Sequence, residues 1–393
     1  MMKTRNTAGM ALLVLAFSTG ARADDVFEPS VALGVDGAYD SNIYNGRGPD
    51  FVTRVTPHLG LRVRDERLNL HADYDLGLWD YATKKARDSI NHHAALTVEE
   101  QATRRLAVRL ADEFVRAEDP AFLTRAGVVT PQTTIIDNFL DAAILWRATR
   151  RITLSASYGF HHTAFAQPPP PADPLHDGDE HVGTAALDAR MTRLDELRLE
   201  YRMQYLVVDG GGFAVTEAPA LGWRRQLIRR LDFRLVGGPL VYSPVGDGRG
   251  ETALTWRGAA TLRFMSRRFR FLVSAVRDLI SGTGAGSVLW ADYATVEARY
   301  QPDRAVELRA ALSAFANGFA PDGDTRYDGV TADAACDFRI LDWLRLGGYY
   351  SFRWQETRGA ADALPAVTRH IVGARLTLVV GAEAAPPHRE VHP

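Results

Sequence analysis

Histidines and carboxylates are the residues of this 393-residue chain that could perform chemistry. Two adjacent histidine pairs occur, His92-His93 and His161-His162. Successive side chains of a β-strand point to opposite faces, so neither pair can hold a metal ion as a unit. The acidic stretches HDGDE and PDGDTRYD could offer oxygen ligands to calcium, but their spacing is not that of an EF-hand loop. We therefore predict no metal site.

Other catalytic signatures are missing from the sequence. Cys336 is the single cysteine, so neither an intramolecular disulfide nor a cysteine-based metal site can form. No G-x-S-x-G, H-E-x-x-H or Walker-type motif occurs. We predict that the protein has no catalytic residues, binds no cofactor and is not an enzyme.

A two-residue alternation dominates the sequence instead. In DELRLEYRMQYLVV, Leu197, Leu199 and Tyr201 share one face of a strand, whereas Arg198 and Glu200 share the other. The stretches RLNLHADYDLGLW, RITLSASYGF, VELRAALSAF and LRLGGYYSFRW repeat this pattern. A helix would distribute these charges on all sides, so the pattern predicts β-strands.

About 18 strands of this kind can be counted, most of them with ten to thirteen residues, which is long enough to cross a bilayer when tilted. Their predicted starts lie near Ser30, Phe51, Leu68, Ser89, Leu106, Thr134, Ile152, Glu180, Glu196, Phe213, Leu231, Gly250, Phe269, Ser287, Val306, Arg326, Leu344 and Val367.

Two kinds of connection alternate between the strands. One kind is short and rich in arginine, and the other is longer and rich in glycine, proline and aspartate. Together with the alternation, this predicts an all-β fold, a closed antiparallel transmembrane β-barrel of about 18 strands. A soluble β-protein is the alternative, and a propeller is disfavoured because its blade signatures are missing.

The beginning of the chain resembles a secretory signal peptide. Lys3 and Arg5 precede an apolar run, and Ala21-Arg22-Ala23 forms an A-x-A cleavage site. We predict a signal peptide over residues 1–23, an outer-membrane barrel over 24–381 and a disordered tail over 382–393. The net charge of −2 provides no basic field for nucleic acid.

The polar face of each predicted strand would border the barrel lumen. A barrel of 16 to 18 strands can leave an aqueous channel, whereas one of eight is filled by its own side chains. Salt bridges that stiffen the wall are the alternative role for most of these charges. The lumen-facing candidates are Arg62, Asp73, Asp75, Arg109, Arg198, Glu200, Arg202, Arg234, Arg257, Glu297, Arg299, Arg309, Arg345 and Arg375.

Arginines of the short connections are candidates for the periplasmic mouth of the barrel, where they could concentrate an anionic polymer or bind an acidic partner. Polar residues are also expected in any exposed turn. These candidates are Arg104, Arg105, Arg150, Arg151, Arg225, Arg230, Arg267 and Arg268. Trp79 and Tyr349 fall on the inner face and could either stack on sugar rings or pack within the wall.

The segment AYDSNIY, Ala38 to Tyr44, ends the first predicted strand and opens an early loop. With the signal peptide and about 18 strands, it resembles the β-barrel porins (porin 2 type) that accompany bacterial exopolysaccharide export systems, among them the Wzp-type barrels. That resemblance implies an outer-membrane channel for a secreted polysaccharide, working with a periplasmic polysaccharide export protein. A general or solute-selective diffusion porin and an outer-membrane barrel enzyme are the alternatives.

Overall fold

A computed structural model of the chain describes residues 26–42, 48–84, 88–118, 133–166, 176–209, 212–245, 251–282, 287–320, 326–359 and 366–381. They form a closed antiparallel barrel of 18 strands. The predicted fold is confirmed, and each predicted strand start lies within a few residues of an observed one. The predicted signal peptide and C-terminal tail lie outside the described residues.

The strands contain 12 to 17 residues, and most of them are longer than the predicted ten to thirteen. Their bounds are β1 Val26–Asp40, β2 Asp50–Arg64, β3 Leu68–Tyr81, β4 Ser89–Glu100, β5 Leu106–Ala117, β6 Ile135–Arg147, β7 Ile152–Phe165, β8 Gly178–Arg190, β9 Asp195–Val208, β10 Gly212–Ile228, β11 Leu231–Val245, β12 Ala253–Met265, β13 Phe269–Gly282, β14 Ser287–Tyr300, β15 Val306–Phe319, β16 Arg326–Leu341, β17 Leu344–Arg358 and β18 Val367–Gly381.

Each strand pairs with its neighbours in sequence, and β1 pairs with β18 to close the barrel. Val26 of β1 lies opposite Arg64 of β2, so both ends of the barrel chain lie on the side of the short turns. Among the described residues, no helix is long and apolar enough to span a membrane.

The two faces of the wall differ in chemistry. Large apolar side chains such as Leu33, Leu199 and Leu254 are exposed on one face. Charged side chains on the other face reach across non-adjacent strands, as Arg257 of β12 does when it pairs with Glu200 of β9. Only inward-pointing side chains can make such contacts, so the charged face is the inner one. The alternation in sequence therefore separates lipid from lumen.

A belt of tyrosine and histidine pairs marks the outer face near the long loops. The hydroxyl of Tyr74 is hydrogen-bonded to Nδ1 of His92 at 2.8 Å, and Tyr158 bonds to His181 at the same distance. A third pair joins Tyr350 and His370 at 2.9 Å. In each case the tyrosine is the seventh residue of its strand, and the histidine is the fourth residue of the next. This Tyr–His belt corresponds to the amphipathic girdle expected at a membrane–water interface.

The wall is irregular between β10 and β13. Pro219 and Pro239 cannot donate to the ladder, and the β10–β11 pairing is interrupted between Glu217 and Leu221. A side chain on Gly238 would collide with the carbonyl oxygen of Pro219, so only glycine permits this close approach. The regular ladder between β10 and β11 is therefore lost at this point.

The pairing of β12 with β13 also stops early, at Gly258 and Arg277, within a stretch that the structure describes throughout. Beyond this point the end of the β13–β14 hairpin folds inward. Leu279, on the outer face of β13, is fully buried in one cluster with Leu240 of the inner face of β11. Trp290 of β14 packs edge-on against Tyr242 of β11, with ring centroids 6.5 Å apart. The hairpin end therefore lies inside the wall formed by β10–β12.

The AYDSN part of the early motif joins the first and last strands. Asp40 is fully buried, and its carboxylate accepts hydrogen bonds from Arg369 Nε and Nη2 at 3.0 and 2.6 Å. Asn42 Nδ2 donates to the carbonyl oxygen of Thr368, and Ser41 N donates to that of His370. This motif is explained by barrel closure, and its last two residues, Ile43 and Tyr44, lie outside the described residues.

We predict that Arg369→Ala lowers the temperature at which the folded barrel is lost on a semi-native gel. The substitution leaves the Asp40 carboxylate buried without its cation, which costs about 3–5 kcal/mol. Arg358→Ala is the matched control, because the Arg358 side chain is 63% exposed in its pair with Glu356. Equal gel transitions for the two variants would contradict a closing role for the Asp40 pair.

A charged inner wall as the candidate functional site

Ion pairs on the inner face tie β8 and β9 to β12 and β13. Arg202 of β9 pairs with Asp278 of β13, although three strands separate them in the sheet. Gln204 Nε2 donates to Glu180 at 2.7 Å and to the carbonyl oxygen of Leu279 at 3.1 Å. These contacts hold the inward end of the β13–β14 hairpin against β8 and β9.

A second set of pairs extends this connection toward the short turns. Arg198 bonds to Asp188 at 2.9 Å and to Glu200 at 2.7 Å, and Glu200 also accepts from Arg257 of β12. Arg257 is only 9% exposed. Arginine presents several donors in a planar fork, which suits it to bridge carboxylates in this way.

Together the pairs close off the space beneath β10–β12, here called the side lobe. The end of the side lobe toward the long loops is filled by the buried cluster that contains Leu206, Ala218, Leu240, Leu279 and Val288. The remaining space, here called the main lumen, is bordered by β13–β18 and β1–β9. The passage is therefore narrower than a ring of 18 strands would suggest.

Histidines and carboxylates alternate along the inner face of β2–β5. His58 bonds to Asp75 at 2.8 Å and lies 3.4 Å from Asp73. His93 contacts the other oxygen of Asp75 at 3.2 Å and reaches Glu113 of β5 at 3.1 Å. These residues come from four neighbouring strands, and the two that share a strand, Asp73 and Asp75, are two residues apart. Every second residue of a strand points to the same face, so all of them line the lumen. The result is a continuous polar wall.

A different chain of charges crosses β14–β18. Glu307 of β15 pairs with Arg299 of β14 and lies 3.5 Å from Arg309. Asp337 of β16 pairs with Arg309 and, through its other oxygen, with Arg375 of β18 at 3.0 Å. Arg309 and Arg375 remain partly exposed, with 35% and 42% of their side-chain surface accessible. These guanidinium groups can therefore contact both the wall and a solute.

The inward aromatic residues pack within the wall. Trp79 is 8% exposed and lies under the guanidinium of Arg54, 4.4 Å from the ring centroid. Arg54 also donates to the hydroxyl of Tyr349 at 3.1 Å, and that hydroxyl donates to Asp36. The packing alternative considered for Trp79 and Tyr349 fits these contacts better than sugar stacking does.

The other lumen-facing candidates lie on the same inner face. Arg62 lies 3.7 Å from Glu28, and Arg109 lies 3.8 Å from Glu99. Strand pairing also places three more candidates on that face, Arg234, Glu297 and Arg345. Their contact with a solute stays a prediction.

Sequence reasoning did not single out three residues that hold these networks together: His58, Asp278 and Asp337. His58 shares the parity of Arg62 on the same strand, so the alternation could have included it. The pairing of Asp278 with Arg202 could not be read from alternation, because it depends on the inward fold of the hairpin. Among the described residues, no group of histidines, cysteines and carboxylates is arranged to hold a metal ion.

The arginines predicted for the mouth lie together at the short-turn end, and each is exposed. Arg225 lies 3.5 Å from Asp195 and over the ring of Trp223. Arg230 lines a cavity of about 460 Å³ with Arg190 and other arginines of this end. Their effect on a ligand stays a prediction.

No protein-family model and no curated protein matches this sequence. Among solved structures, OccAB3 of Acinetobacter baumannii aligns with 92% of this chain and 100% of its own, at 8% identity and a TM-score of 0.46. OccK2 (OpdF) of Pseudomonas aeruginosa in complex with glucuronate aligns with 91% and 98%, at 8% identity and a TM-score of 0.48. The outer membrane protein opdK of Pseudomonas aeruginosa aligns with 90% and 99%, at 8% identity and a TM-score of 0.43.

A closed barrel with an apolar outer face and a charged inner face is a membrane-spanning β-barrel of the type that occurs in outer membranes. Our prediction that it exports a polysaccharide with a periplasmic export protein is wrong: the solved structures with the same course of strands bear Occ and Opd names, and the described residues of AYDSNIY, which suggested export, close the barrel instead. At 8% sequence identity, this similarity is limited to the fold. The solute must therefore be inferred from this chain's own residues.

We predict that Asp278→Asn increases single-channel conductance in a planar bilayer. Loss of this carboxylate removes the partner of Arg202 and loosens the hold on the inward hairpin, so the side lobe becomes part of the conducting area. Asp333→Asn is the matched control, since Asp333 pairs with Arg353 of the neighbouring strand outside the lobe. Unchanged conductance in Asp278→Asn would show that the lobe stays closed without this pair.

Proposed function

We propose that the protein is a solute-selective diffusion porin for small polar solutes. One observation carries this proposal: the main lumen is bordered by two walls of opposite character. The wall of β3–β7 is rich in carboxylates and histidines, whereas arginines predominate on β14–β18. The carboxylates of the first wall are Asp73, Asp75, Glu99, Glu113, Asp137 and Asp141, and the arginines of the second are Arg299, Arg309, Arg339, Arg345, Arg353, Arg369 and Arg375.

The two walls face each other because of the side lobe. Contact between β9 and β13 removes β10–β12 from the circumference of the main lumen. β1 and β2 then separate the walls on one side, and β8, β9 and β13 separate them on the other. A solute in this space would experience a field directed across the pore, which favours polar molecules that can align with it. An apolar molecule would gain no electrostatic stabilisation from this field, and a bulky molecule could not align in the main lumen.

This proposal includes an orientation and an export route. The short turns and both ends of the chain would be periplasmic, and the long loops would be extracellular, as in other outer-membrane barrels. Residues 1–23 would direct export and be removed, and residues 382–393 would form a periplasmic tail. The arginines of the short turns would form the periplasmic rim of the pore.

Neutralising one wall at a time tests the transverse field. We expect Asp75→Asn with Glu113→Gln to shift the reversal potential in a KCl gradient toward anion preference. Arg309→Gln with Arg375→Gln should shift it in the opposite direction. Both shifts should shrink at high salt, because exposed charges are screened over roughly 3 Å at 1 M ionic strength.

Liposome swelling with small neutral and charged sugars provides the functional measurement. Wild-type protein should admit them at different rates, and the two double variants should change that order in opposite ways. Glu356→Gln is a suitable control, because Glu356 pairs with Arg358 at the extracellular end of β17. Identical swelling rates for all solutes in every variant would refute selectivity, and no uptake at all would refute a porin.

A further inference from the structure

The inward fold of the β13–β14 hairpin leaves a groove on the membrane face of the barrel, here called the step groove. Its volume is about 990 Å³, near the upper end of the roughly 300–1,000 Å³ typical of ligand sites. Small residues form its floor, among them Gly258, Ala275 and Ala294. Leu221 and Trp256, which are 71% and 57% exposed, form part of its edge. The groove is thus shaped for an apolar chain.

An arginine occupies the end of the step groove toward the long loops. Arg277 lies on the outer face of β13, and its Nη1 donates to both oxygens of Asp292 at 3.1 and 2.8 Å. The guanidinium also lies 5.0 Å from the ring centroid of Trp256 and 5.9 Å from that of Trp290. The Nε of Arg277 is buried and has no hydrogen-bond acceptor within the described structure.

A charge on the lipid-facing side of a barrel is costly, and such residues usually serve a function. The carboxylate of Asp292 offsets part of the cost of placing this charge next to lipid. It accepts hydrogen bonds from only one nitrogen of Arg277, Nη1. Further N–H groups of the guanidinium remain available to an acceptor from the membrane. Phosphate oxygens are the acceptors that arginine binds best at such a surface.

The depth of Arg277 fits a lipid headgroup. Trp290 is the fourth residue of β14, the same position that the histidines of the Tyr–His belt occupy in their strands. Arg277 stacks on Trp290 and therefore lies at the level of the belt. The step groove continues from there toward Leu197 and Trp223 of the short-turn half. A headgroup at Arg277 would thus place its acyl chain along the groove.

We propose that the step groove binds one phosphate-bearing lipid of the outer membrane, with the phosphate on Arg277 and an acyl chain on the small residues below. A bound acyl chain would cover the place where the β12–β13 ladder ends. Backbone groups at that point lie next to hydrocarbon, where open sheet edges are not tolerated. The lipid therefore also stabilises the step in the wall.

Native mass spectrometry of the full barrel, purified in detergent, tests this proposal. Phosphatidylglycerol and phosphatidylcholine with equal acyl chains are the probes. We expect one tightly bound phosphatidylglycerol per barrel and weaker binding of phosphatidylcholine. Arg277→Gln should weaken phosphatidylglycerol binding about tenfold and abolish the preference between the two lipids. Ala294→Phe, which fills the groove, should weaken binding of both.

Arg116→Gln is the matched control, because Arg116 also lies on the outer face near the long-loop end, opposite His92, but away from the groove. It should bind lipid as the wild type does. Equal losses in Arg116→Gln and Arg277→Gln would mean nonspecific annular lipid and would overturn the proposal. Loss of an oligomer in Ala294→Phe with unchanged lipid binding would assign the groove to a second copy of the chain and would overturn it as well. All variants should remain heat-modifiable on gels.

Discussion

Closure of the backbone hydrogen-bond ladder in hydrocarbon is the constraint on which the rest of this structure depends. A bilayer interior supplies no partner for an unpaired N–H or C=O, so the sheet must meet itself, and here β1 meets β18. Closure then separates an outer solvent of acyl chains from an inner solvent of water. The alternation of apolar and polar side chains along strands such as β9 follows from that separation, as does the burial of Asp40 against Arg369 at the seam.

Within the closed barrel, ion pairs that cross the lumen determine how much of the interior remains open. The ring has 18 strands, but the pairs of Arg202 with Asp278 and of Arg257 with Glu200 draw opposite parts of the wall together. The side chains of these pairs are only 10% to 18% exposed, and each charge would be costly without its partner. The hydrophobic cluster around Leu240 fills the space that they enclose. The number of strands sets the circumference, whereas these few contacts set the shape of the passage.

Much of the fold could be predicted from the sequence, because two-residue periodicity is a local property that each strand displays by itself. Strand number, starts and facing followed from it, as the agreement at Leu68, Ile152 and Leu344 shows. The inward turn of β13 and β14 could not be predicted, since it depends on Pro219 and Gly238 of other strands and on contacts between distant residues. The export function rested on the AYDSNIY motif, whose described residues serve barrel closure instead.

The ion pair between Asp40 and Arg369 also has a consequence for barrel assembly. The two residues are separated by almost the whole barrel sequence, so the pair forms only when the last strand arrives beside the first. Until then the Asp40 carboxylate has no cation in β18 and must stay hydrated. Arrival of Arg369 allows the carboxylate to be buried at the seam. The pair therefore links burial of the end of the first strand to arrival of the last.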